Sequence, residues 1–148
     1  MSSYAGRGRD AKPQLLVVKG SFSSMGGAER DILRNLPYLT KLFSIKVATL
    51  DTVSELEMLC EELRIPLMKP KENWKVPKDP LSIIRDSSIE SSMKSWKETE
   101  GLNEAILGSD MIHIISGDGS LSLVELIPES IPTHLHLLEP HRGLHEDI

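Results

Sequence analysis

The sequence predicts an α/β domain of Rossmann-like type, a mostly parallel sheet of about five strands with helices on both faces. Three observations carry that reading. The run Gln14 to Lys19 has a continuous Leu-Leu-Val-Val centre that suits a strand covered on both faces, and Met111 to Ile115 is a second compact, mostly apolar run. Segments with apolar residues at helical spacing alternate with such runs along the chain. A glycine-containing loop stands between a strand and a helix twice, at Gly20 to Gly27 and at Ser116 to Ser120. In a doubly wound sheet both loops lie at the carboxyl ends of neighbouring strands, where ligands bind.

Residues 1–13 are rich in Ser, Gly, Arg and Lys and end at Pro13, which predicts a mobile tail before a single domain over 14–148. Gln14 to Lys19 is the first strand, with Leu-Leu-Val-Val at its heart. Ala28, Ile32, Leu33, Leu36 and Leu39 then mark one face of a helix, which Pro37 should kink or end early. Phe43 to Leu50 alternates as a second strand. Thr52 and Glu55 have the spacing of a capping box, ahead of a helix whose buried stripe is Leu56, Leu59, Cys60 and Leu63. Its glutamates 55, 57, 61 and 62 read as a solvated outer half.

Ile65 to Met68 is at best a short third strand, and Lys69 to Asp79 is a proline-punctuated loop whose large apolar group, Trp74, packs it down. Asp79-Pro80 has the form of an N-cap and first helical residue, with helical spacing onward through Leu81, Ile84, Ile89, Met93 and Trp96. Gly101 breaks that helix, and Leu102, Ala105, Ile106 and Leu107 carry a further helical segment to Gly108. Met111 to Ile115 is the fourth strand, Leu121 to Ile127 a short helix, and Thr133 to Leu138 the fifth strand.

Composition limits the function classes. A formal net charge of -5 and an aromatic content of 4% argue against a nucleic-acid partner, which calls for clustered cations and stacking surfaces. Basic residues gather only locally, at Arg7, Arg9 and Lys12 and at Lys69, Lys71, Lys75 and Lys78. These read as solvated loop flanks, or as a peripheral contact with anionic lipid. The single cysteine, Cys60, falls on a helical apolar stripe and reads as a buried thiol in a reducing compartment. No apolar run reaches the length of a membrane span, nor does the N-terminus carry an apolar signal core, so a cytoplasmic location is expected.

The first glycine loop meets a plain physical requirement. A phosphate can approach a backbone only where side chains are missing, and N–H groups at a helix start supply donors and a positive dipole. Gly20, Gly26 and Gly27, with Ser23 and Ser24, meet it. The spacing is neither Gly-x-Gly-x-x-Gly nor a P-loop, because no Lys-Ser/Thr follows.

The segment Met25-Gly-Gly-Ala-Glu-Arg30, between a first strand and a leucine-patterned helix, resembles the start of GT-B type glycosyltransferases of family 4. Ser109-Asp-Met-Ile-His113 is similar to that family's fourth strand, and Glu139-Pro-His-Arg-Gly-Leu-His-Glu146 to the Glu-Pro-Pro-Arg stretch after its fifth. The resemblance implies the N-terminal half of a two-domain enzyme that moves a sugar from a nucleotide-sugar to a glycan or lipid-linked acceptor. It implies Gly26 and Gly27 at the donor phosphate and no cofactor besides the substrate. Glu29, Arg30, His113, Glu139 and Arg142 would line the cleft on the acceptor side. A separate C-terminal donor-binding domain is implied as partner, without which this chain should not turn over. The family commonly places a His just before the Glu-Pro, where Leu138 stands here. The catalytic group is therefore left open among His136, His141 and Asp118.

Two rival readings accompany this one. A Rossmann-like binding or partner subunit without catalysis would explain Leu138. A small metal-dependent hydrolase could use His134 and His136 on one strand face with His141 and His145 a helical turn apart, although no metal site is expected. His113 reads as a core histidine or as a residue at the cleft edge, and Asp118 as a cap for the Leu121 helix or as an acceptor for a sugar hydroxyl.

Overall fold

The chain runs β1 (Gln14–Lys19), α1 (Gly27–Leu39), β2 (Ser44–Ala48), α2 (Ser54–Leu63), β3 (Leu67–Met68), α3 (Arg85–Lys97), α4 (Leu102–Leu107), β4 (Met111–Ile115), a 3-10 helix (Leu121–Leu126) and β5 (Thr133–His136). The structure is a computed structural model, and it describes residues 11–23, 26–75 and 85–136. The strands form one five-stranded sheet, all parallel, in the order β3-β2-β1-β4-β5. This is the Rossmann-like α/β architecture that the alternating pattern predicts.

The sheet separates two cores. On one face Leu16, Val18, Ala48, Leu50, Ile112 and Ile114 meet Trp74, Trp96, Leu102, Ala105, Ile106 and Leu123. On the other, Leu15, Val17, Ile45, Val47 and Ile115 meet Phe22 and the α1–α2 side chains Leu36, Leu56 and Cys60. Burial on both faces is why the central strands read as unbroken apolar runs instead of alternating ones. Cys60 is buried as its stripe predicts, and desolvation pushes its thiol from 9.0 up to about 11, which makes thiolate chemistry at neutral pH unfavourable.

Asp110 sets the register of the central pair. Its backbone N–H donates to the Gln14 carbonyl at 2.9 Å, and its Oδ2 accepts from the Gln14 N–H at 2.7 Å. With that clamp Leu15 pairs with Met111 and Val17 with His113. A one-residue slip would turn every side chain of β4 to the wrong face.

Several local expectations need correction. Pro37 does not end α1 early, since the helix continues to Leu39; the proline removes the one bond its missing N–H would have given to the Leu33 carbonyl, and only two helical residues follow it. The residues of the expected capping box do not cap α2. Its N-cap is Val53 with no side-chain bond, while the Thr52 backbone pairs with the Asn73 amide at 3.3 Å in both directions. Tertiary pairing has won over the local motif. The short helix after β4 forms as a 3-10 helix, but its N-cap is Ser120, not Asp118.

In α3, Ile89 is 48% exposed although it falls on the apolar stripe, while Ser92 is buried and shares a 2.8 Å hydrogen bond with Ser122. The small hydroxyl pair lets α3 approach the 3-10 helix closely. β2 is shorter than the run Phe43 to Leu50, and β5 is described as far as His136. Trp74 packs down as expected, 6% exposed, with its Nε1 donating to Ser91 Oγ at 2.8 Å. The Asp79-Pro80 helix start and residues Leu81 and Ile84 lie outside the described residues, as does the N-terminal stretch 1–10.

Candidate functional site

The site is the carboxyl edge of the sheet at β1 and β4. These strands are neighbours, yet the chain after β1 crosses toward β2 and the chain after β4 toward β5. That divergence opens the crevice in which doubly wound sheets bind ligands.

The first loop divides into two parts with different reasons for glycine. Gly20 belongs to the fold. Its N–H donates to Ser120 Oγ at 2.8 Å, its carbonyl accepts from Leu50 N at 3.0 Å, and a Cβ there would run into the Asp118 carbonyl oxygen and stand 2.7 Å from Ser120 N. The two loops therefore interlock backbone to backbone.

Gly26 and Gly27 are different. Gly26 is the α1 N-cap with φ −81° and ψ −165°, a conformation open to any residue, and a Cβ on Gly27 would meet no atom within 4 Å. Neither backbone strain nor internal packing requires these two glycines. They put no side chain of their own at the N-terminus of a 13-residue helix. Glu29 lies in its first turn, 5% exposed, and Arg30 next to it is exposed, with its N–H on the Gly26 carbonyl at 3.0 Å.

The second loop, Ser116 to Ser120, is held by tryptophan. Trp96 Nε1 donates to the Gly119 carbonyl at 2.8 Å, and Gly119, at φ +80°, lies so near Trp74 that a Cβ would come within 3.0 Å of its ring. Asp118 is exposed at the tip of this loop.

Beside the first loop, after β2, stands Asp51, of which the sequence pattern gave no sign and which is 1% exposed. It bridges to Ser21, accepts from Ser21 Oγ at 2.9 Å, and holds Lys75 Nζ at 2.9 and 2.8 Å. Burial pushes its carboxyl up, but the hydrogen bonds from Lys75, Ser23 and Ser21 outweigh that, and the net direction is down. Lys75, expected as a solvated or lipid-facing charge, is indeed 63% exposed along its side chain, while its ammonium pairs with Asp51.

No family profile matches this sequence, and neither characterised proteins nor solved structures return a match.

The histidines gather at the far side of the crevice. Parallel pairing sets His113 beside His134 and Ile115 beside His136. His113 is half-buried, and its Nδ1 lies 2.7 Å from the Nδ1 of His134, with ring planes 7° apart and centroids at 4.8 Å. Face-to-face contact needs about 3.5 Å between atoms. The 2.7 Å separation is therefore an edge-to-edge hydrogen bond between nearly coplanar rings. His136 is exposed, 6.0 Å from His113 between centroids. Among the described residues no set of three or more His, Cys, Asp or Glu is arranged to hold a metal ion. An open groove of about 390 Å³, lined by Leu15, Val17, Ile32, Leu39, His113 and His136, runs between α1 and this part of the sheet.

Desolvation, together with the positive charge that His134 and His136 can carry, holds His113 below its ordinary value of 6.5. Well above pH 6.5 both folded and unfolded chains carry it neutral, so it has no effect on stability there. As pH falls through 6.5 the unfolded chain takes up the proton first, and stability declines until the lower folded value is passed. Urea midpoints measured between pH 8 and 5 should fall on the acid side, and His113→Asn should flatten that part of the profile. An unchanged profile in the variant would contradict the assignment.

Of the residues singled out from the sequence, Gly26, Gly27, Glu29 and Arg30 stand together at the α1 N-terminus, and Asp118 on the facing loop. His113 and His136 lie on β4 and β5. Glu139, His141 and Arg142 lie outside the described residues, as do Leu138 and His145. Among the described residues no helix is long and apolar enough to cross a membrane.

Proposed function

We propose that this chain is the N-terminal half of a glycosyltransferase, the half that shapes the acceptor side of a cleft and sets a glycine lip against the diphosphate of a nucleotide-sugar. The observation that carries the reading is the pair Gly26 and Gly27, which the fold itself does not need and which add no side chain at the helix N-terminus. Glycine lowers chain stability relative to alanine at an ordinary position, so its presence fits a site where an outside group must come close. The order of the family-like segments along the chain supports the same reading. Chemically, the half described would act by orientation and by dipole and N–H donation to phosphate oxygens, leaving the remaining donor contacts to a C-terminal domain.

A partner subunit without catalysis is the second reading. It draws on β5, whose four residues are all exposed at the sheet edge and so present a surface a second unit could cover.

The test is a titration with UDP and GDP, alone and with a C-terminal donor-binding half supplied, followed through the amide signals of Gly26 and Gly27. Both should shift in the presence of the second half, and the chain alone should show no sugar transfer. Gly27→Val should leave stability within about 0.5 kcal/mol, because space is open there. It should nevertheless weaken nucleoside diphosphate at least tenfold, or about 1.4 kcal/mol. Saturating UDP and GDP that leave both amides unmoved would remove the phosphate assignment.

A further inference from the structure

Two lysines stand at the carboxyl edge of the sheet, and they are treated in opposite ways. Lys75 is exposed along its side chain yet fully paired, with both Asp51 oxygens within 2.9 Å. Lys19, the last residue of β1, is 5% exposed, and its ammonium makes one long hydrogen bond, to the Ser116 carbonyl at 3.3 Å. Among the described residues no carboxylate lies within 4.0 Å of it. A primary ammonium has three donors and repays burial only when charge and hydrogen bonds answer it. A neutral carbonyl at 3.3 Å answers little of that.

Position adds to the anomaly. Lys19 pairs across the sheet with Ile115, so the ammonium sits between the ends of β1 and β4, at the switch point. Above it is Gly117, an exposed residue, and a Cβ on Gly117 would stand 2.5 Å from Nζ. The missing side chain therefore leaves the buried cation one backbone layer from solvent. An anion arriving at the crevice would find a desolvated charge whose attraction is stronger than that of a surface lysine.

We propose that Lys19 is an anion-binding residue, and that its ligand is a phosphoryl oxyanion, in the setting above the diphosphate of the nucleotide-sugar. The identification of that diphosphate rests on the glycosyltransferase reading; the anion site itself rests on Lys19 and Gly117.

The experiment titrates the full chain and its Lys19→Met variant with inorganic pyrophosphate, UDP and GDP, reading melting temperature and the Lys19 ammonium NMR signal. Pyrophosphate should raise the melting temperature of the parent chain and shift that signal. Lys19→Met should lose at least tenfold in pyrophosphate affinity and, without ligand, be as stable as the parent or more so, because a buried unanswered charge has gone. Lys19→Arg, which keeps the charge, should retain part of the response, and Gly117→Val, which covers Nζ, should lose it.

A Lys19→Met chain that fails to fold, or one that binds pyrophosphate as the parent does, overturns the proposal. So does an ammonium signal that ignores saturating pyrophosphate. Nucleoside diphosphate bound equally well before and after Lys19→Met keeps the transferase reading and removes the Lys19 site. A Lys19 response to pyrophosphate with no binding of UDP or GDP, even beside a C-terminal half, keeps the site and removes that reading.

Discussion

Trp96→Ala should lower the unfolding free energy by about 3–5 kcal/mol, the cost of deleting a fully buried aromatic side chain. Trp96 is 1% exposed and belongs to the core between the sheet and helices α3 and α4. Its loss also leaves the Gly119 carbonyl without its indole donor, now 2.8 Å away. Against a total stability of about 5–15 kcal/mol for a domain of this kind, that is a large fraction. Ile89→Ala on the same helix, at a position 48% exposed, should stay within about 0.5 kcal/mol. Urea denaturation of both variants checks the pair, and a Trp96→Ala midpoint close to the parent's would mean that this face of the sheet is not packed as described. Because the indole also fixes the second glycine loop, Trp96→Phe should disturb ligand binding at the crevice more than it disturbs stability.

The second large effect separates two glycines of one loop. Gly20→Ala should destabilise by about 3 kcal/mol, the upper end for overpacking, because its Cβ would strike backbone atoms of Asp118 and Ser120 that cannot turn aside. Gly27→Ala should instead stabilise by about 0.5–1 kcal/mol, since it meets no atom within 4 Å and lies in the first turn of α1. Opposite signs in thermal melts are the expected result. Equal costs at both positions would mean that Gly27 is a packing glycine after all, and the argument for a ligand at that helix start would lose its main support.

The contrast shows how much of the site the sequence carries. Read as letters, Gly20, Gly26 and Gly27 form one phosphate-ready loop. In the fold, Gly20 is the point where β1 passes the Ser116–Ser120 loop, whereas a Cβ on Gly26 would meet only the Glu29 carboxylate, at 3.9 Å, and one on Gly27 no atom within 4 Å. Steric need depends on what the rest of the chain brings alongside, and residues about a hundred positions away supply it here, as the Gly20–Ser120 separation of 100 shows. Lys19 and Asp51 were hidden for the same reason. A lysine at a strand end and an aspartate after another are ordinary in sequence; their burial, 5% and 1% exposed, comes from strand order.

Capping shows the reverse failure. Thr52 and Glu55 have the right spacing for a local motif, but the Asn73 side chain takes the Thr52 backbone groups and the helix starts without a side-chain cap. A bond worth about 1 kcal/mol is easily outbid by a tertiary arrangement that satisfies the same groups.

By itself the sequence determined the layer architecture. Continuous apolar runs are stable only between two helical layers, and stripes at helical spacing need a sheet to cover, so an alternating order of the two leaves a parallel α/β sheet as the outcome. It also placed two glycine loops at strand ends, and the strand order, which makes β1 and β4 neighbours, brings them together at the carboxyl edge. Only the tertiary structure decided which glycine the fold requires and which it does not, and that His113 is hydrogen-bonded to His134. It alone showed that one lysine at the crevice is paired with a carboxylate and that the other, among the described residues, has only the Ser116 carbonyl. Each of those depends on distances between residues far apart in the chain, and periodicity holds no information about them.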